Sequence, residues 1–448
     1  MILFKRQEGR KIMDKKSGKF GFWSIVLLGI NSIVGTGIFL LPNKAYSLIG
    51  SASLGVLFFD ALLAGCMALC FAEVAGFFTR NGGPYLYAKY SLGNFFGYEV
   101  GVLKWIVVMI AWATMAVGFA TALGAAFPFL SGEMMKNIIA SVIILVLTII
   151  NIIGVNTTKI LSNLITVSKL VPLIAFIVIG IFFVNGSHFT PVFPGGEYQE
   201  GTFASAAILL FFAYTGFEAI AVAAEDMENP KKNLPRAIIM TMIIVSILYM
   251  LILGISIGIM GTDLARTQAP IQDAFGMILG PAGAYFVLAG TLLSMGGINM
   301  AQSFFGPRVC TSLSEDGMLP AVLSKRTPWN TPYVAAIVTA FFSILLTWTG
   351  SFATLAAISA VSRFTQYLPT CISVIIFRKK WADKERPYTI PFGVTIPVIA
   401  IVVSLWMLSQ AQTSQLIWGF GGCIVVLPFY FIYLNKKRKG LIKESNTL

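Results

Sequence analysis

Apolar windows of about 20 residues, each long enough to cross a hydrocarbon layer of about 30 Å, recur along almost the whole of this 448-residue chain. They leave no room for a sizeable soluble domain, so the chain reads as an integral membrane protein with the lipid bilayer as its main partner. Composition agrees: 11% of the residues are charged and 57% hydrophobic, against about 25% charged in soluble domains. Soluble enzymes and nucleic-acid binders are excluded, and no nucleic acid partner is expected.

Twelve spans are predicted, at residues 22–46, 52–78, 95–128, 137–154, 163–184, 202–224, 236–260, 283–312, 332–350, 353–377, 394–411 and 415–434. An even number puts both tails on one side, and the cations say which. The N-terminal tail, residues 1–19, carries Lys5, Arg6, Arg10, Lys11, Lys15, Lys16 and Lys19, and the C-terminal tail, residues 436–448, carries Lys436, Lys437, Arg438, Lys439 and Lys443. Loops on the same side are also basic, whereas the opposite side has only Lys44, Lys136 and Arg266. The net charge of +13 is therefore a record of topology: both termini are expected in the cytoplasm. All linkers are short, so residues 1–435 are expected to form a single transmembrane domain. No removable signal peptide is expected.

Cys66, Cys70, Cys310, Cys371 and Cys423 all fall in or at the ends of apolar windows, which points to packing and away from disulfides. Cys66 and Cys70 share a helix face, but no metal and no cofactor is expected. The lone histidine, His188, lies in an outside loop, so the spans hold no histidine relay and no catalytic set of an enzyme.

Two spans are expected to break. Span one carries Gly35-Thr36-Gly37 at mid-depth, and span six carries Tyr214-Thr215-Gly216-Phe217-Glu218, with Thr36 and Thr215 standing 179 residues apart. Glycines weaken a helix by about 1 kcal/mol each relative to alanine. A break in lipid must be shielded or useful. Amides freed at such a break can bind a carboxylate and freed carbonyls an ammonium group, so a zwitterion satisfies both. The rival reading is that these glycines only permit close helix packing. If spans one to five and six to ten form two halves, each half opens with a broken helix, a pattern of inverted-repeat transporters.

Four motifs in order resemble the amino acid-polyamine-organocation superfamily of permeases. They are Gly35-Thr36-Gly37-Ile38-Phe39 with Pro42; Phe71-Ala72-Glu73-Val74 with Asn81-Gly82-Gly83-Pro84-Tyr85-Leu86-Tyr87; Phe212-Ala213-Tyr214-Thr215-Gly216-Phe217-Glu218 with Glu225 and the stretch from Asn229 to Ala237; and the stretch from Ser314 to Pro320. The resemblance implies an all-α membrane fold of leucine-transporter type: a five-plus-five inverted repeat (about 20–184 and 202–377) with discontinuous helices one and six, and two extra helices at about 394–434. It also implies transport of amino acids or their amines. Lys169, some six residues into span five, resembles the lysine whose ammonium group stands, in sodium-independent relatives, where others hold a cation between helices one and eight. The rival is snorkelling to the cytoplasmic face. Loss of water disfavours a charged lysine in general, which would let the site exchange protons during a cycle. Glu218 resembles an acid that links pH to gating, or else caps the second half-helix. Phe212 resembles an aromatic gate.

The expected substrate site thus comprises Ile33, Val34, Gly35, Thr36 and Gly37 toward the carboxylate, and Phe212, Ala213 and Tyr214, with Gly216, toward the ammonium. Lys169, Glu218 and Phe212 are expected to couple and gate. Glu73, Glu99, Lys104 and Arg363 read as structural or cytoplasmic-gate charges, and Asp60 has no assigned role. The chain is read as a secondary transporter of a neutral amino acid in the plasma membrane, coupled to protons and independent of sodium. The alternatives are an amino acid exchanger and, further off, a non-transporting sensor.

Overall fold

The computed structural model describes residues 21–78, 83–153, 159–222, 227–328 and 331–438. Among the described residues there are helices and no strands, in the order α1 (Phe22–Ile33), α2 (Thr36–Leu40), α3 (Pro42–Ile49), α4 (Ser53–Ala75), α5 (Pro84–Leu92), α6 (Asn94–Ala126), α7 (Glu133–Ile153), α8 (Lys159–Gly180), α9 (Thr202–Tyr214), α10 (Glu218–Val222), α11 (Pro230–Met260), α12 (Pro270–Glu315), α13 (Tyr333–Thr347), α14 (Phe352–Lys380), α15 (Thr395–Ser409) and α16 (Thr413–Arg438). Among the described residues eight helical stretches are long and apolar enough to cross a membrane, and shorter apolar helices lie within expected spans one, five, nine and eleven. Asn81, Gly82 and Glu225 lie outside the described residues, as do most of the two basic tails.

Polarity is arranged as lipid demands. Large apolar side chains such as Phe58, Leu62, Leu145, Ile149, Ile174, Val178, Ile247 and Phe341 face outward, while most of the buried Ser and Thr hydroxyls bond carbonyls of the preceding turn, as Thr114 does to Ile110 at 2.7 Å. Small residues let the helices close. A side chain on Gly290 of α12 would collide with Pro172 of α8, and one on Gly118 of α6 would meet Thr36 at 2.7 Å.

Two local features refine the sequence reading. Helical residues begin at Pro270, but Gly280 (φ 66°, ψ −160°) is non-helical and interrupts α12, so the helix expected from 283 starts at Pro281. The stretch after span two contains α5, with Pro84 in its first turn, where proline's missing N–H costs nothing.

Candidate functional site

At the first break α1 stops at Ile33, Val34 and Gly35 are extended (φ/ψ −70/100° and −142/−150°), and α2 restarts at Thr36. The last carbonyls of α1 thereby lose their helical partners. Lys169, fully buried on α8, reaches one of them and one carbonyl of the break itself: its Nζ donates to Asn31 of α1 at 2.7 Å and to the extended Val34 at 2.9 Å. Both bonds go to the first-span segment, and the geometry is that of a cation at a helix C-terminus. On the other side of the break, the amides of Gly35, Thr36 and Gly37 have no acceptor among the described residues.

The second break follows Tyr214. Thr215 is extended and its hydroxyl turns back to the Phe212 carbonyl at 2.7 Å. Gly216 has φ 117°, a conformation that suits glycine, and a side chain there would also run into the Ser32 carbonyl of α1. Its amide donates to Glu218 Oε2 at 2.9 Å. The same oxygen accepts the Tyr367 hydroxyl at 2.8 Å, and Oε1 pairs with the Arg363 guanidinium. Glu218 is therefore the centre of a buried ion pair, and Arg363, which the sequence reading groups with structural or cytoplasmic-gate charges, is its partner.

The two breaks touch. The Gly37 position is pressed against Ala213, whose Cα would lie 2.8 Å from an added Cβ. Tyr249 of α11, fully buried, sets its hydroxyl 3.2 Å from the Ile33 carbonyl and 3.1 Å from that of Ala213, so one proton serves both breaks. Thus of the carbonyls expected to face an ammonium, those of Phe212 and Ala213 already accept protein donors. Sequence reasoning missed Tyr249; its one signal was a hydroxyl-bearing aromatic at mid-depth in span seven. Met115 was missed too: its sulfur accepts the Thr36 hydroxyl at 3.1 Å.

Phe212 is buried and meets Phe352 edge to face, with ring centroids 6.2 Å apart. Phe352 also lines a cavity of about 470 Å³ bounded by Leu40, Lys44, Val117, Glu133, Lys136 and Trp348. Phe352 thus stands between that cavity and the Phe212 ring.

The remaining charges lie apart. Glu73 takes a bidentate pair from Arg378 (2.8 and 2.6 Å) and the Ile390 amide at 2.8 Å, tying the end of α4 to the segment after α14. Lys104 lies 5.7 Å from the centre of the Phe305 ring, and the Glu99 carboxylate has no hydrogen-bond partner among the described residues. His188 Nδ1 sits 2.9 Å from the Gly258 carbonyl. No cysteine among the described residues is in a disulfide.

One stability test follows from the ion pair. Glu218→Gln keeps acceptor capacity for Gly216 and Tyr367 but strands the buried Arg363 cation, and breaking such a pair typically costs about 3–5 kcal/mol. The variant should unfold at lower temperature, and Glu218→Gln/Arg363→Gln should recover part of the loss. Thermal unfolding followed by size-exclusion chromatography checks both.

A family model described as amino acid permease matches residues 20–429. The chain is 28% identical to a methylthioribose transporter of Bacillus subtilis, covering 92% of this chain and 93% of the relative. It is 29% identical to the branched-chain amino acid permease BcaP of the same organism, over 96% and 95% of the two chains, and 27% identical to its serine/threonine exchanger SteT, over 94% and 97%.

Proposed function

Because this chain belongs to the amino acid permease family, a family of membrane transporters and not of enzymes, we propose that it carries a neutral L-amino acid across the plasma membrane by alternating access, driven by protons without sodium. In this reading the chain crosses the membrane twelve times with both tails in the cytoplasm, residues 20–184 and 202–377 form inverted halves, and residues 394–434 add two helices. The substrate carboxylate meets the amides of Gly35, Thr36 and Gly37, and Ile33 and Val34 shape that turn. The ammonium takes the free end of α9 at Phe212, Ala213, Tyr214 and Gly216 once Tyr249 gives up the Ala213 carbonyl. Phe212 closes the outer route and the Glu218 pair the inner one.

The observation that carries the reading is the Lys169 ammonium on the Asn31 and Val34 carbonyls. A fixed cation at the end of α1 supplies the positive charge that a metal ion would otherwise bring to the break. Uptake of labelled amino acid into proteoliposomes, with and without unlabelled amino acid inside, tests it: uptake into empty vesicles supports symport. A requirement for internal amino acid supports exchange, the second reading, favoured by the name of one relative.

A neutral substrate is favoured because the acid at the breaks, Glu218, is already paired with Arg363, leaving no free anion at the breaks among the described residues for a cationic side chain. In a competition panel, neutral amino acids should outcompete arginine, agmatine, putrescine and methylthioribose. A diamine, arginine or methylthioribose at the head of the ranking would overturn this.

A further inference from the structure

Asp60 stands eight residues into α4, about 12 Å along the helix at 1.5 Å per residue, and is completely buried. Both carboxyl oxygens lack a hydrogen-bond partner among the described residues. An ionised carboxyl in that packing would be a bare charge in an apolar interior, whereas a proton-bearing one forfeits only hydrogen bonds. A neutral residue would pack there at lower cost, so an acid calls for a use.

Its surroundings supply one. Helix α4 packs against α9 and α11. The Tyr214 phenol, on the last residue of α9 before the second break, donates to the Leu57 carbonyl at 3.3 Å, three residues before Asp60, and lies close enough to feel the Asp60 charge. The Tyr214 ring is 5.4 Å from that of Tyr249, which bridges the two breaks. From these elements the titratable group beside Asp60 is the Tyr214 phenol, with Tyr249 behind it. Charges on the elements packed around α4 are held elsewhere: Glu218 with Arg363 and Arg378 with Glu73 are paired, Lys44 of α3 and Lys379 and Lys380 at the end of α14 are exposed, Lys231, Lys232 and Arg236 are exposed at the start of α11, and α15 carries no titratable residue.

We propose that Asp60 is a proton-binding site, distinct from Lys169, that reads the second break through Tyr214. The carboxyl keeps its proton while Tyr214 lies on the Leu57 carbonyl. When the end of α9 moves and admits water, the O–H bond of Asp60 breaks, the proton passes to that water and a hydrated carboxylate remains. The inference rests on the transport reading and adds a second proton to its cycle.

The test uses purified full-length protein in proteoliposomes, with labelled leucine as probe and a trapped pH dye. Asp60→Asn should keep leucine exchange near wild type, while the protons moved per leucine fall by one, as linkage of a single bound proton requires. Asp60→Glu should keep the wild-type proton count. A wild-type count in Asp60→Asn overturns the proposal. If Asp60→Asn does not fold, infrared difference spectra of the wild type and Asp60→Glu decide: a protonated-carboxyl band that responds to leucine and shifts in the glutamate variant supports the site, and its absence overturns it. If wild-type protein takes up no amino acid, the transport reading fails, and a pH titration of the same band still tests Asp60 alone.

Discussion

Lys169→Ala is expected to abolish net uptake while leaving folded protein that still binds substrate. The substitution removes the ammonium and leaves the Asn31 and Val34 carbonyls buried without a donor. Each orphaned carbonyl costs about 1–3 kcal/mol, and the cost falls on the broken segment that the cycle must reset. A loss of about 3 kcal/mol from the productive state corresponds to roughly a hundredfold in rate. Wild-type uptake should rise as external pH falls through the slightly acidic range. In Lys169→Arg that dependence should flatten, because a guanidinium keeps its proton at every working pH. Initial rates of labelled uptake across external pH measure all three proteins. An alanine variant with the wild-type rate and pH profile would reduce Lys169 to a packing role.

Gly37→Val should have the second-largest effect, and on binding. An added Cβ would lie 2.8 Å from the Ala213 Cα and 3.0 Å from its Cβ, so backbone must move and the breaks must separate. Overpacking of this kind typically costs about 1–3 kcal/mol, which corresponds to roughly 5- to 150-fold in affinity when the strained contact is the binding site. Gly35→Ala is the control: its Cβ would meet the far end of the Ile298 side chain at 2.8 Å, which can rotate away. Scintillation proximity binding should therefore show Gly37→Val far weaker than Gly35→Ala. Equal affinities would separate the glycines from the site.

How much of this was legible in the sequence depends on whether a feature is local. The breaks were, because paired glycines mark the first and a glycine with a following acid marks the second, each within a few residues. The structure adds that the first break is centred on Val34 and Gly35, one residue earlier than the Thr36 at the middle of the motif. Lys169 stood out because a cation inside an apolar window is costly wherever it points, although the sequence could not say which carbonyls it meets. The Glu218 and Arg363 pair joins residues 145 apart, and Tyr249 matters through two backbone oxygens on other helices. Nothing in periodicity or spacing records such contacts. The start of span eight was local too: Gly280 leaves the helical region and Pro281 opens the next first turn, two residues from the expected 283.

The central claim is that Lys169 replaces a metal cation, so that protons and not sodium drive amino acid uptake. The most direct measurement compares labelled leucine uptake into proteoliposomes under an inward proton gradient without sodium and under an inward sodium gradient at equal pH. Accumulation in the first condition and none in the second is the predicted result. Accumulation driven by the sodium gradient alone would contradict it.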